Sequence, residues 1–152
     1  AVSRIQDYGF ELGIQLMIGL PGDTMEKCLY SARETARLRP QLARLYPTIV
    51  LDETDLYEAY RQGAYIPLSR EEAVLRTKEM YKILEAADIT IMRVGLKSTD
   101  LIGDGGAING GTYHPAFRQL VEGAIARERI EPLLNRLKLN ASDNSLTKIN
   151  RK

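Results

Sequence analysis

Cysteine, histidine and tryptophan are scarce in this chain of 152 residues, which has one cysteine, Cys28, one histidine, His114, and no tryptophan. One cysteine excludes an internal disulfide framework and any metal cluster held by cysteines of this chain alone. Sparse cysteine also suits a reducing compartment, so we expect a cytoplasmic protein. A single histidine without a partner cysteine gives no reason to expect a metal site.

Long apolar runs and an excess of one charge are also missing. No apolar run approaches the roughly 18 residues that predict a membrane span, and the first residues lack the apolar core of a signal peptide. The 21 basic and 20 acidic side chains give a net charge of +1. This balance gives no strong electrostatic reason to expect a nucleic acid or an anionic membrane as partner. The 44% hydrophobic composition is typical of one globular domain with a core.

The most informative segment is Gly13–Thr24, which predicts a buried strand, a tight Gly-Pro-Gly turn and the start of a helix. We assign the strand to Glu11–Ile18 and the helix to Met25–Leu38, with Asp23 as its N-cap. Ligands bind at the carboxyl ends of strands in parallel α/β layers. This turn is therefore a candidate ligand site.

A second strand, Leu42–Leu51, should pair in parallel with the first. It carries Pro47 in its interior, and proline cannot donate a ladder hydrogen bond. We therefore expect this strand to lie at an edge of the sheet or to contain a bulge. The first eight residues have the pattern of a helix end that stops near Gly9. We expect earlier βα units to precede them, because parallel strands need neighbours on both sides.

The rest of the chain predicts helices and one further strand. We expect a short helix Leu56–Gln62 ended by Gly63, and a long helix that a capping box opens at Ser69 and that runs to Ala87. A strand Thr90–Leu96 and a mobile loop Gly103–Gly111 should follow. The next helix should run from Pro115 to about Ile130, where Pro132 breaks or restarts it, and the end from residue 140 should be polar and frayed. The buried stripe of the long helix is predicted to be Ala73, Thr77, Met80, Leu84 and Ala87.

Several segments resemble the radical S-adenosylmethionine (SAM) superfamily. Gly19–Gly22 reads Gly-Leu-Pro-Gly at the strand–helix junction, and Leu45–Val50 reads Leu-Tyr-Pro-Thr-Ile-Val on the next strand. Leu51–Tyr60, Arg93–Leu96 and Tyr113–Phe117 are similar to the branch that contains the catalytic subunit of elongator. Oxygen-independent coproporphyrinogen oxidase is a second similar member. The resemblance covers roughly residues 1–135.

The resemblance implies an α/β fold that is the C-terminal portion of a partial (β/α)6 TIM-like barrel, followed by a helical C-terminal extension with one extra strand. The last two barrel strands would be Glu11–Ile18 and Leu42–Leu51, within a first unit of residues 1–54. Residues 55–139 would form the elongator-like C-terminal region, and residues 140–152 a polar tail. The sixth strand of such an open barrel is an edge strand, in agreement with Pro47.

In this family a Cys-x3-Cys-x2-Cys loop holds a [4Fe–4S] cluster, which binds SAM and cleaves it to a 5′-deoxyadenosyl radical for hydrogen abstraction. This chain has no such motif. The resemblance therefore implies a parent radical SAM enzyme whose cluster lies in a missing N-terminal half. We expect the isolated chain to be inactive and to hold neither SAM nor the cluster.

The resemblance assigns five residues to the SAM pocket, and no catalytic residue or metal ligand. Gln15 matches a polar strand residue that reaches the ribose or amino-acid end of the cofactor. Met17 and Gly19 match positions near the adenosine. Tyr46 and Pro47 match positions whose backbone pairs with the adenine edge. The substrate is left open between an RNA base and a tetrapyrrole-like molecule.

Plainer interpretations of single residues stay open. Gly19–Gly22 could be an ordinary turn, and Gln15 a polar residue of the strand surface. We expect Cys28 to be an inert core thiol and His114 to make a hydrogen bond at a helix entrance. The acidic group at residues 52, 53 and 55 is expected to cap the short helix that follows it.

The rival function is a non-catalytic module in which an exposed edge strand and a basic C-terminal face bind a partner subunit or RNA. The basic residues are Arg127, Arg129, Arg136, Lys138, Lys148, Arg151 and Lys152. The expected partners are the missing N-terminal half, a second copy through exposed strands, and RNA. No membrane partner is expected.

Overall fold

The computed structural model describes residues 2–97 and 108–149, with side chains as far as residue 137. The elements in order are α1 (Val2–Asp7), β1 (Gly13–Ile18), α2 (Met25–Leu38), β2 (Leu42–Pro47), β3 (Ile49–Leu51), α3 (Asp55–Arg61), α4 (Arg70–Ala86), β4 (Thr90–Val94), β5 (Ile108–Gly111) and α5 (Phe117–Ile149). None of the described helices is both long and apolar enough to cross a membrane.

Three parallel strands form the main sheet in the order β1-β2-β4. One face packs against α2, α4 and α5, because every second residue of β1 and β2 points to that side, as do Ile91 and Val94 of β4. The extra residue between them, Met92, lies at a register shift in the β2–β4 pairing. The core residues include Ile18, Ala43, Leu45, Ile91 and Val94 from the strands and Cys28, Ala32, Ala73, Met80, Leu84, Phe117, Val121 and Ile125 from the helices. The predicted α/β class is confirmed. The six-stranded barrel stays a prediction, as do the unit boundaries at residues 54 and 139.

β2 is the central strand of this sheet, so the expected edge position is wrong. The pairing of β2 with β4 does contain a register shift, the alternative that was expected, but it lies between Ala43 and Arg44 and not at Pro47. Pro47 is tolerated because β4 accompanies β2 only as far as Leu45, whose carbonyl accepts from the Gly95 N–H. The Thr48 N–H donates to the Ile18 carbonyl of β1. Since backbone groups alternate in direction, the Pro47 nitrogen faces the other side, beyond the last pair with β4. The missing N–H therefore removes no ladder bond.

The predicted strand Leu42–Leu51 is in fact two strands. β2 ends at Pro47, and β3 pairs antiparallel with β5 in a second, two-stranded sheet. β5 occupies the end of the predicted loop Gly103–Gly111, so that part of the loop prediction is wrong, while residues 103–107 lie outside the described residues. The pairing with β3 turns a glycine-rich segment into a strand, an outcome that local propensity does not favour. β1 and β4 are each two residues shorter than predicted.

Hydroxyl groups cap the helices that flank the sheet. α2 has the predicted bounds, but its N-cap is Thr24 and not Asp23. Thr54 is the N-cap of α3. The predicted capping box of α4 is confirmed, with the Ser69 side chain and the Glu72 side chain each accepting from the other residue's backbone N–H. The predicted stripe of α4 is buried at Ala73, Thr77, Met80 and Leu84, whereas Ala87 is exposed.

α5 differs most from its prediction. It begins at Phe117, two residues after Pro115, and continues through Pro132 to Ile149. A proline inside a helix removes the hydrogen bond to the carbonyl four residues earlier, here that of Glu128. Residues 126–137 are exposed, so water can bond to that carbonyl and the helix need not end. The end predicted as frayed is therefore helical up to residue 149.

Gly111→Ala should destabilise the junction of the two sheets. Gly111 has a φ of +86°, and a Cβ there would lie 2.6 Å from the Thr48 carbonyl oxygen. The clash is with backbone, so we expect the free energy of unfolding to fall by about 2–4 kcal/mol in urea titrations.

Gly63→Ala is the matched control for this substitution. Gly63 has a φ of +72° but nothing within 4 Å of the added Cβ. It should therefore show only the conformational cost of about 1–2 kcal/mol. Equal losses in the two variants would contradict the steric argument.

Candidate functional site

The turn after β1 is held by contacts from distant residues. The Gly19 N–H donates to Asp23 Oδ2 at 2.8 Å, and the Gly19 carbonyl accepts from the Tyr65 hydroxyl at 2.6 Å. Gly19 has a φ of +87°, and a Cβ at this position would lie 2.8 Å from Leu68 Cδ1. Only glycine fits both the backbone conformation and the space. Gly19 therefore shapes the turn through packing, and both of its backbone polar groups already have partners.

Asp23 joins this turn to α2 and α4. Its Oδ2 atom also accepts from Cys28 Sγ at 3.1 Å, and its backbone carbonyl accepts from Arg76 Nη1 at 3.2 Å. Burial, and then the hydrogen bond to Asp23, raise the pKa of the Cys28 thiol to about 12. The thiol is buried, so the expected core position is confirmed, while its inertness stays a prediction that the raised pKa supports. Asp23 braces the turn, which is a different role from the predicted N-cap.

Three of the five predicted site residues share the open face of the main sheet. Gln15 and Met17 of β1 are exposed, and Met17 is the register partner of Tyr46 on β2, which is half-buried. Gly19 and Pro47 are buried near the carboxyl ends of the two strands, where Ile18 pairs with Pro47. The structure thus brings all five residues to adjacent strands and their shared end. Their contact with a cofactor stays a prediction.

Thr48, directly after β2, is the clearest residue that sequence analysis missed. It is 6% exposed, and its Oγ1 atom is buried without a hydrogen-bond partner among the described residues. Leaving such a hydroxyl unpaired costs about 1–3 kcal/mol. Thr48 follows Tyr46 and Pro47, so an unused polar group lies beside the predicted adenine position. No local signal distinguishes this threonine in the sequence.

Two arginines on the open face were also missed as site candidates. Arg44 of β2 and Arg93 of β4 are register partners, and both are exposed. Gln15 is the register partner of Arg44 on the other side. The position of Arg44 between the apolar residues Ala43 and Leu45 is a signal that could have identified it.

His114 and the acidic group before α3 have structural roles. His114 Nδ1 accepts from the Ala116 N–H at 3.1 Å, which confirms the expected hydrogen bond at a helix entrance. Asp52 accepts from the Asn109 side chain and so links the turn after β3 to β5. Thr54 caps α3, so the expectation that residues 52, 53 and 55 supply the cap is wrong. Within residues 2–97 and 108–137, no three His, Cys, Asp or Glu side chains come together as a metal site.

A charged cluster joins α4 to α5 away from the strand ends. Glu128 accepts from Lys78 Nζ at 2.5 Å and from Lys82 Nζ at 2.6 Å. These two hydrogen bonds lower the pKa of the Glu128 carboxyl to about 2. On the same helix Arg129 pairs with Glu85. The described part of the predicted basic face therefore contains acidic partners.

Tyr65→Phe should destabilise the turn that carries Gly19. The substitution removes a buried hydroxyl and leaves the Gly19 carbonyl without its 2.6 Å partner. We expect a loss of about 1–3 kcal/mol in the free energy of unfolding, together with a shift of the Gly19 amide resonance. Tyr30→Phe is the control, because Tyr30 is 65% exposed. A change in Tyr65→Phe no larger than in the control would refute the bracing role.

Cys28 should resist alkylation in the folded chain. With its pKa raised to about 12, the thiol holds almost no thiolate at about pH 8, so modification should require unfolding. Because the pKa of this thiol in the folded chain is above its ordinary value of 9.0, stability should fall as pH rises from 9.0 towards about 12. Thiol titration with and without denaturant measures the first effect, and rapid labelling of the native chain would contradict it.

Comparisons with known proteins agree with the fold and with the motifs. Residues 40–127 match the family described as the Radical_SAM C-terminal domain. A tRNA uridine(34) acetyltransferase of Methanocaldococcus jannaschii is 34% identical over 77 residues, which are 49% of this chain and 14% of that protein. The protein of the same name from Dehalococcoides mccartyi is 36% identical over 70 residues, which are 44% of this chain and 15% of that protein.

A solved structure shows the same fold. The archaeal Methanocaldococcus infernus Elp3 with an N-terminal deletion (1–46) superposes with a TM-score of 0.70 at 22% identity, over 82% of this chain and 28% of that chain. The chain aligns with only about a seventh of the length of the two acetyltransferases. The family match covers more than half of the chain, from β2 to α5. This protein therefore belongs to the Radical_SAM C-terminal domain family and carries the C-terminal part of an Elp3-like radical SAM protein.

Proposed function

We propose that this chain forms one side of the SAM site of a radical SAM enzyme that acts on RNA. The observation that carries the proposal is the braced turn Gly19–Gly22 at the end of β1, beside the open face that holds Gln15, Met17 and Tyr46. Family membership gives the class of enzyme. The cofactor contacts, the reaction and the substrate are the proposal.

The residues at the strand ends are suited to the cofactor. Gln15 offers an exposed amide that can donate and accept, which fits the ribose or amino-acid end. Met17 gives an apolar surface that is 47% exposed and fits the adenosine. Tyr46 and Pro47 lie at the end of β2, beyond the last residue pair between β2 and β4. The unpaired Thr48 hydroxyl is a further polar group beside them.

Gly19 acts indirectly in this proposal. Because its N–H and carbonyl are bonded to Asp23 and Tyr65, it cannot donate to the cofactor without losing a protein bond. Its role is to let the chain turn tightly, so that the surface beside it stays open and fixed. Preorganised surfaces bind with less loss of conformational freedom.

The cluster needs three cysteines, and this chain has one, which is buried. We propose that another part of the parent protein holds it, and that the chain alone is inactive. When bound, the cluster and SAM supply radical hydrogen abstraction. The residues of this chain orient the adenosine and exclude water from it.

RNA is the proposed substrate because the matched relatives are named for acetylation of a tRNA uridine. A tetrapyrrole-like substrate has no such support. The non-catalytic module stays the rival, and its proposed edge strand is now β1 or β4, the two outer strands of the sheet, because β2 is central. The cytoplasmic location stays a prediction.

Titration of the 15N-labelled chain with SAM tests the proposed cofactor surface. We expect weak, millimolar binding, because only one side of the site is present, with amide shifts at Gln15, Met17, Gly19 and Tyr46. Met17→Glu should abolish the shifts by placing a carboxylate on the apolar surface. Leu75→Glu is the control, since Leu75 is similarly exposed, at 46%, on α4. Shifts confined to residues outside the five site positions would contradict the proposal.

A further inference from the structure

We propose that Arg44 and Arg93 bind a backbone phosphate of single-stranded RNA on the open face of the main sheet. This inference rests on the proposed function for the choice of RNA. It adds a binding site to the cofactor surface and names the residues that form it.

The two arginines lie side by side on neighbouring strands. Arg44 and Arg93 are register partners across β2 and β4, which separates their Cα atoms by about 4.8 Å, the usual spacing of paired strands. Two like charges this close repel each other. Two guanidinium groups in this arrangement are therefore balanced best by an anion between them.

The chain itself does not supply that anion among the described residues. β1, β2 and β4 read GIQLMI, LARLYP and TIMRV, and none contains an acidic residue. Among residues 2–97 and 108–137, no side chain forms an ion pair or a hydrogen bond with either guanidinium. Other arginines do have such partners, for example Arg118 with Glu122 at 2.8 Å. The two unpaired charges on one face are thus a local feature of this surface.

The surface beside Arg44 is concave and has room for a nucleotide. A cavity of about 320 Å³ is lined by Gly13, Gln15, Arg44 and Met92, together with Ile14, Leu42 and Ala43. Gly13 carries no side chain, which leaves this end of the face open. Met92 is 50% exposed and gives an apolar wall against which a base can pack.

A phosphodiester is the anion that fits this geometry. Guanidinium groups bind phosphate oxygens bidentately through parallel N–H donors. Single-stranded RNA also presents bases that pack on exposed apolar side chains next to the phosphate contact, as on other sheet surfaces that bind RNA. Gln15 is left out of the test, because the proposed cofactor site already uses it.

Fluorescence anisotropy of the whole chain with a labelled oligouridine, without SAM, tests the inference. Arg44→Gln and Arg93→Gln should each weaken binding by about tenfold or more. Each should also reduce the slope of log affinity against log salt concentration by about 0.7, the value for one lost phosphate contact on a single strand. Arg33→Gln is the matched control, because it removes the same charge from an exposed position of α2, which packs on the other face.

Stability of the free variants gives a second readout. Arg93→Gln removes the like-charge neighbour of Arg44, so the midpoint of thermal unfolding should rise by about 1–3 °C. A fall in the midpoint would show that the Arg93 guanidinium stabilises the folded chain. It would overturn the premise that the two guanidinium groups repel each other when no anion is bound.

Several results would overturn the proposal. These are unchanged salt slopes in the Arg44 and Arg93 variants, a slope reduced equally by Arg33→Gln, and no binding of the oligouridine by the wild-type chain. Equal binding of a polyglutamate peptide of the same charge, or of inorganic pyrophosphate alone, would show a general anion surface and refute the assignment to RNA. Because SAM is absent, failure here leaves the shifts expected in the SAM titration unaffected, and the two proposals fail separately.

Discussion

The Tyr65 hydroxyl bonds to the Gly19 carbonyl across 46 residues of sequence, and Leu68 fills the space where a larger residue at position 19 would place its Cβ. These contacts bind the turn after β1 to the segment between α3 and α4. The Asp23 carboxylate accepts a hydrogen bond from the Gly19 N–H, and the Asp23 backbone carbonyl accepts from Arg76 of α4. The position of the strand ends therefore depends on the packing of α4, because both backbone polar groups of Gly19 are bonded to residues that α4 and its preceding segment hold in place.

The second constraint is that the main sheet is covered on one side only. Ala43 and Leu45 are fully buried against the helices, while Arg44 between them is exposed. Alternation along β2 produces this division, since successive side chains of a strand point to opposite faces. The helices thus leave polar and thioether side chains together on the open face. Both proposed binding surfaces lie on this face and at its carboxyl end.

Local sequence patterns predicted the helices well where residues close in sequence cap the helix N-terminus. Met25–Leu38 has the predicted bounds, and the capping box of α4 needs only residues three apart. Pro47 was a sound signal of an absent ladder bond, but the bond can be absent for two reasons. A strand can lie at an edge, or its neighbour can end early, and in this protein β4 ends early. Pro132 was likewise overestimated as a helix breaker, because an exposed helix can satisfy the freed carbonyl with water.

Part of the site could also be predicted from local patterns. Gln15, Met17 and Tyr46 were identified by motif, and strand alternation alone requires Gln15 and Met17 to share a face. Tyr65, Leu68 and Arg76 could not be identified, because their contacts with the turn span 46 to 53 residues of sequence and no periodicity records such contacts.

The sequence by itself determined the helices α2 and α4, the strands β1 and β4, the glycine turn and the family resemblance, because these depend on composition, capping and spacing within short segments. Only the tertiary structure decided that β4 pairs with β2, that β5 orders against β3, and that Arg44 lies beside Arg93. Strand register depends on the packing of the whole core, since a shift of one residue would exchange the buried face for the open one.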